Sequence, residues 1–293
     1  MRRPAANHAC LPLTRRAFAL GGAAACVAGR PATAAPAFRF GLTPVFVDDE
    51  WPLLQILKDY LEAAMERPVE FVQRRTYKEV AALLVAGELD AAWLCGYPLL
   101  QYQPMLAALA LPLWRGASRY QSYVIVDAGR GASQLGALRG DIHAYSDPDS
   151  NSGYLVTVSE LVARGEAPEA FFARSFFTFG HSDVVRAVAR GLAQSGSVDG
   201  YVWEVLAEIE PELTARTRIL WRSEWFGFPP IVAQRQRLES PEITRFATAL
   251  REMRDDRDGR RALERLHLDG FDPASEAEFS GIAARMRRFA ERE

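Results

Sequence analysis

From Phe38 onward, short apolar strands alternate with amphipathic helices, and the alternation runs through once and then restarts. "FRFGLTP" (38–44) reads as a strand, and "WPLLQILKDYLEAAME" (51–66) as a helix with Leu54, Leu57, Leu61 and Met65 at helical spacing. "VEFVQ" (69–73) is a strand, and "YKEVAALLVAGE" (77–88) a helix stopped near Gly87. "DAAWLCG" (90–96) is apolar enough for a strand inside a parallel sheet. After "YQSYVIVD" (120–127) the pattern returns: strand "DIHAYSD" (141–147), a helix from about Gly153 to Arg164, strand "SFFTFG" (175–180), a helix from Ser182, and strand "SVDGYVW" (197–203).

Two successive β-α-β-α-β units predict an α/β chain with two open, mainly parallel sheets flanked by helices. The strands at 120–127 and at "RILWRS" (218–223) stand where the chain crosses between the units. A Pro-rich stretch, "FGFPPIV" (226–232), follows. A tail of amphipathic helices (241–253, 258–268, 277–292) then returns to pack on the first unit. The expected division is residues 36–122 plus 224–293 as a discontinuous first lobe and 123–223 as a second. Ligands of open α/β sheets sit beyond the carboxyl ends of the strands, so two facing lobes share one central cleft.

Residues 1–35 read as a targeting segment and are left out of the fold. Thr14-Arg15-Arg16-Ala17-Phe18 is a twin-arginine pattern, followed by a mildly apolar run from Gly21 to Ala28 and the small-residue cleavage signal Ala32-Thr33-Ala34. Cleavage removes five arginines and no acid, which takes the formal net charge from −2 to −7. A mature chain this acidic, with no basic cluster, is a poor nucleic-acid binder. Cys10 and Cys26 leave with the segment, Cys26 being the alternative lipid-anchor site, and Cys95 stays as an unpaired thiol.

The stretch "DPDSNSGYLV" (147–156) crowds Ser150, Asn151 and Ser152 against Gly153 just before an apolar helical run. Backbone N–H groups and small hydroxyls at a helix start hold anions. The same residues also make an ordinary N-cap after an Asp-Pro turn. The stretch has no lysine, so it is not a nucleotide phosphate loop.

Several segments resemble the periplasmic solute-binding proteins for phosphate, phosphite and phosphonates that feed ABC transporters. "FGLTP" (40–44) is similar to their opening strand, and "RTYKEVAALLVAGELDAAWL" (75–94) to their Tyr-to-Asp-Ala-Trp stretch. "SDPDSNSGYLV" (146–156) resembles their Asp-Pro-x-Ser-x-Ser-Gly loop, "GHSDVVRAVARG" (180–191) their Gly-His helix start, and "ILWRSEWFGFPPIV" (219–232) their Pro-containing return. Together these cover most of residues 38–235. The resemblance implies a two-lobed periplasmic-binding-protein fold that closes by hinge motion, a small oxyanion ligand, a membrane permease as partner, and no catalysis, cofactor or metal. It implies a periplasmic protein, here expected to act as a monomer.

The resemblance assigns the oxyanion to Ser150, Asn151, Ser152, Gly153 and His181, with Tyr77 and Tyr120 in the cleft. Asn151 stands where the family usually has threonine. Each tyrosine has plain packing as its alternative, and His181 a capping or core role. Cys95 and Tyr97, in "WLCGYP", fall at the carboxyl end of a strand and hence near the cleft mouth. A buried cysteine is usually an inert small hydrophobe. Its alternative here is a thiol ligand for arsenite, in a sensor of the same fold that signals to a histidine kinase. Relatives that bind aminophosphonates hold the ammonium with acids. Glu204 is a candidate for that role, and Pro229 stands where a second acid is expected. Ser150, His181 and Asp199 are the residue types of a hydrolase triad, but the chain has no G-x-S-x-G turn.

Overall fold

The computed structural model describes residues 36–43 and 51–290. The targeting segment, including Cys10 and Cys26, lies outside the described residues. The elements in chain order begin β1 (Phe38–Leu42), α1 (Trp51–Met65), β2 (Val69–Gln73), α2 (Tyr77–Val85), β3 (Ala91–Trp93), α3 (Gly96–Gln101) and β4 (Leu106–Leu113). The chain crosses through β5 (Arg119–Tyr120) into β6 (Ser122–Asp127) and β7 (Ile142–Tyr145). Next come α4 (Val156–Ala163), α5 (Pro168–Phe171), β8 (Arg174–Phe177), α6 (His181–Ala189), β9 (Ser195–Asp199), α7 (Gly200–Ile209), α8 (Pro211–Thr214) and β10 (Thr217–Arg222). It returns through β11 (Phe226–Gly227) and β12 (Ile231–Gln234) to α9 (Pro241–Glu252), α10 (Arg257–Leu266), β13 (Gly270–Pro273) and α11 (Ser280–Ala290).

The first sheet has the order β13-β4-β12-β3-β1-β2 and the second β10-β6-β9-β7-β8. The expected parallel character lies at one end of each, ending on the edge strands β2 and β8: β1 pairs β2 and β3 in parallel, and β7 pairs β8 and β9 likewise. Strands that enter from a crossing run the other way, so the sheets are mixed. β6 is antiparallel to β9, β10 to β6, β12 to β3 and β4, and β13 to β4. The two crossings pair with each other as the ribbon β5–β11, with Phe226 opposite Tyr120. That pairing fixes Tyr120 between the sheets.

Local chemistry explains the element starts. Thr76 caps α2 with a full capping box: its hydroxyl accepts Glu79 N–H, and the Glu79 carboxylate accepts Thr76 N–H. Tyr77 is thereby held as the first helical residue. Asp199 caps α7 by accepting Tyr201 N–H at 2.9 Å. The expected strand at 197–203 therefore ends at Asp199, and Tyr201, Val202 and Trp203 are helical. The apolar side of α1 buries Leu57, Leu61 and Met65, each contributing about 1.5–3 kcal/mol. Phe246 of α9 meets Phe38 and Phe40 with ring centres 4.7 and 5.1 Å apart. The tail departs from expectation at its end, because α11 also packs on α4 of the second sheet. Arg285 pairs Glu160 at 2.8 Å, and Phe289 meets Tyr154 edge-on.

Candidate functional site

The polar loop that follows β7 is built by its own side chains. Asp147 Oδ1 accepts Asp149 N–H at 2.8 Å across Pro148, and Ser150 Oγ accepts Gly153 N–H at 2.9 Å. The first turn, Asn151–Leu155, is a π turn in which Leu155 N–H reaches Ser150 O at 3.0 Å, and α4 continues from it. This wide turn brings the loop backbone against its neighbours. A Cβ on Gly153 would stand 1.8 Å from Ser146 Oγ and 3.0 Å from His181 Cε1, so only glycine fits.

Five helix starts deliver the side chains around this turn. Tyr77 opens α2, Cys95 is the N-cap of α3, Asn151 and Ser152 open the π turn, His181 opens α6 and Asp199 caps α7. Their contacts run across both sheets. Tyr77 Oη lies 3.2 Å from His181 Nε2, Asn151 N–H donates to Cys95 Sγ at 3.2 Å, and Asn151 Nδ2 donates to Tyr120 Oη at 2.9 Å. Ser152 Oγ donates to Asp199 Oδ2 at 3.4 Å, and Ser122 Oγ to Ser152 O at 2.6 Å. Tyr77, Cys95, Tyr120, Asn151, Ser152, His181 and Asp199 are each at most 3% exposed. Protein closes over the whole cluster.

The named cluster holds no lysine or arginine, so the positive charge it can offer an anion is that of helix N-termini, each worth roughly half a charge. Burial pushes His181 down to about 3, leaving the ring neutral. Its Nδ1 accepts Asp199 N–H at 3.0 Å and carries no hydrogen. The ring proton is therefore on Nε2, which makes His181 a donor toward Tyr77 and the interior of the cluster. Burial pushes the Cys95 thiol up to about 12 and raises Tyr77 and Tyr120 well above the usual phenol value. Asp199 is pushed up to about 7, with desolvation outweighing its hydrogen bonds. Two buried oxygens, Ser146 Oγ and Asn151 Oδ1, have no hydrogen-bond partner within the described residues. Buried polar atoms without protein partners are completed by an ordered water, an ion or a ligand; Ser240 Oγ, which precedes α9, is another such atom.

Of the residues singled out in the sequence, Ser150, Asn151, Ser152, Gly153, His181, Tyr77, Tyr120 and Cys95 come together here. Tyr97 does so through its backbone, whose N–H donates to Cys95 Sγ, while its side chain packs on the core. Glu204 is engaged elsewhere: it accepts Tyr123 Oη at 3.1 Å and pairs Arg115 at 3.4 Å. Pro229 presents its carbonyl to Trp93 Nε1 at 2.9 Å. The triad arrangement is absent from this trio, because Asp199 meets His181 through its backbone N–H rather than its carboxylate. Asp199 as a site group, Asp147, Ser122 and Ser146 were missed. Asp-Gly before an apolar helix was the available signal for Asp199, and the extended strand reading hid it. Among the described residues, no group of three His, Cys, Asp or Glu could hold a metal ion. Outside the cluster, Thr76, Lys78, Tyr102, Asp149 and Phe179 line an open groove of about 580 Å³.

The family model described as ABC transporter, phosphonate, periplasmic substrate-binding protein matches residues 40–279. The fold is similar to a binding-protein component of an ABC phosphonate transporter from Pseudomonas aeruginosa, with a TM-score of 0.78, 17% identity, and coverage of 86% of this chain and 87% of that one. It is similar to PhnD1 from Prochlorococcus marinus in complex with methylphosphonate, with a TM-score of 0.77, 15% identity, and coverage of 87% and 98%. A chloride-bound protein from Xanthomonas citri matches with a TM-score of 0.70, 19% identity, and coverage of 88% and 99%.

Proposed function

Because the chain belongs to the family of periplasmic substrate-binding proteins of phosphonate ABC transporters, we propose that the sealed cluster of Tyr77, Tyr120, Asn151, Ser152 and His181 is where it holds its oxyanion. The chain is the phosphonate-binding component of such a transporter, with a small ligand and a membrane permease as partners, and it is not an enzyme. No described helix is long and apolar enough to cross a membrane.

The observation that carries the site is the meeting of helix starts from both sheets on one buried point without a cation. Neutral dipoles stabilise an oxyanion while leaving it free to depart, which suits a carrier that must release its cargo. A ligand can reach so buried a point only if the two sheets part. In the proposed hinge motion, residues 36–122 plus 224–293 move against 123–223, with the β5–β11 ribbon as the pivot. Tyr77–His181, Cys95–Asn151 and Tyr120–Asn151 each pair a residue of one part with a residue of the other, which supports this division. Export of a monomer through the twin-arginine segment, and phosphite among its ligands, belong to the same proposal. Glu204 is occupied and Pro229 is not an acid, so ligands without an ammonium group are favoured.

Isothermal titration of the purified protein with methylphosphonate, phosphite, phosphate and arsenite tests this. A phosphorus oxyanion is expected to bind at one site per chain. The sensor reading requires arsenite to bind and Cys95→Ala to abolish that binding. Against it stand the buried, protonated thiol and its use as an acceptor for two backbone N–H groups.

A further inference from the structure

Every polar group of Asn151 but one has a partner. Its backbone N–H donates to Cys95 Sγ at 3.2 Å, its carbonyl accepts Val156 N–H, and its Nδ2 donates to Tyr120 Oη at 2.9 Å. Its Oδ1 is buried and has no partner within the described residues. The chemistry of Tyr120 fixes which way round the amide stands, because a phenol has a single hydrogen. When Tyr120 gives that hydrogen to the oxyanion, its own oxygen can only accept from Asn151. The NH₂ therefore faces Tyr120, and the amide oxygen stays free. That oxygen is purely an acceptor, whereas the hydroxyl of the threonine usual in the family can also donate.

Facing a bare oxygen of an anion, such an acceptor repels; facing a P–OH, it is satisfied. The surrounding charges press the same way. The nearest acids, Asp147 and Asp199, both act on Tyr77 and Cys95, and the named cluster has no cation to set against them. A second negative charge on a ligand buried here costs more than the first. We propose that Asn151 Oδ1 accepts a hydrogen bond from a hydroxyl of the bound oxyanion, so that the protein selects singly charged hydrogen-phosphonates, and their phosphate and phosphite counterparts, over dianions and over oxyanions with no hydroxyl. The inference rests on the cluster being the oxyanion site, and it names the form that the ligand takes there.

Methanesulfonate separates the hydroxyl from everything else, because it matches the methylphosphonate monoanion in shape and charge and lacks only the hydroxyl hydrogen. Both are titrated into the purified protein below the second ionisation of methylphosphonate. Methanesulfonate is expected to bind at least about a hundredfold more weakly. In Asn151→Thr, whose hydroxyl donates or accepts, that ratio is expected to shrink by about tenfold or more. Affinities within about tenfold of each other in the wild type, the outcome if an ordered water completes Asn151, overturn the inference while leaving the oxyanion site standing. An unchanged ratio in Asn151→Thr does the same.

If Asn151→Thr does not fold, the pH profile of the wild type decides. The titratable groups around Asn151 are Cys95 at the start of α3, Tyr120 on β5, Tyr77 on α2, His181 on α6, Asp199 at the start of α7 and Asp147 in its own loop. Titration of any of these breaks the affinity at one pH for every ligand. A ligand that must keep its proton instead carries the break with it. Affinity for methylphosphonate is expected to fall about tenfold per pH unit above that ligand's second ionisation. The fall is expected to begin at lower pH for phosphite, which loses its second proton more readily. One break shared by both ligands, or none, overturns the inference. Failure of methylphosphonate, phosphite and phosphate to bind wild type at any pH overturns the site and the inference together.

Discussion

Ser152 and His181 show how single side chains make an anion site without charge. The Ser152 hydroxyl stands in the first turn behind a capped loop, and the His181 ring is locked by a backbone donor on one nitrogen so that the other must donate. Replacing Ser152 with alanine is expected to weaken oxyanion binding by about 1–3 kcal/mol, the cost of one hydrogen bond to a charged group, as read by titration. Unchanged affinity would remove the loop from the site. The thiol of Cys95, 3% exposed and pushed up to about 12, is expected to react with a disulfide reagent at pH 8 about tenfold or more slowly in the folded protein than in denaturant. Equal rates would show that this point is open. Short-range signals made Ser150, Ser152 and His181 legible in the sequence: polar caps ahead of apolar helical runs. The role of Asp199 was not legible, because its partner Ser152 lies 47 residues away and only tertiary structure joins them.

Among the elements, α11 is the one whose placement the sequence concealed. Its amphipathic pattern called for burial, but nothing local says on which surface. Its first half packs on α3, where a Cβ on Gly96 would come within 2.6 Å of Ile282 Cδ1. Its second half inserts Arg285, 7% exposed, between Glu160 of α4 and Glu224 after β10, at 2.8 and 2.6 Å. Arg285→Met is expected to lower stability by about 2–3 kcal/mol in denaturant titration. Glu160 then stays largely buried without its partner, and the loss is less than for a fully buried pair because Glu224 is half-exposed. No change would mean that α11 is held by packing alone. The parallel ends of both sheets were readable as strand–helix alternation. Strands β4 and β13 were not, since "LAALALPL" and "GFDP" carry no polar–apolar alternation and pair only with distant strands.

For the whole molecule, burial of titratable groups sets the response to acid. His143 and His181 are both held near 3 against 6.5 in the free side chain. The unfolded chain thus binds their protons first, and stability falls as pH drops from about 6.5 toward 3. Asp199, raised from 3.8 to about 7, works in the opposite sense: its contribution is present below 3.8 and is lost as pH rises through about 7. Asp147, also raised by burial, acts with Asp199, while the lowered carboxyls of Glu79, Glu224 and Glu242 act with the two histidines, whose sense prevails. The melting temperature is therefore expected to fall between pH 6.5 and 4, and more steeply in Asp199→Asn, which lacks the opposing group. Parallel curves for the two proteins would contradict the raised value of Asp199.

The proposed site depends on one spatial condition, that helix starts from both sheets close around the ligand. A crystal structure grown with methylphosphonate tests it most directly. Phosphonate oxygens are expected within hydrogen-bond distance of Ser152, Tyr77, Tyr120 and His181. Phosphorus density in the outer groove beside Lys78 and Asp149, with the cluster's own hydrogen bonds intact, would contradict it.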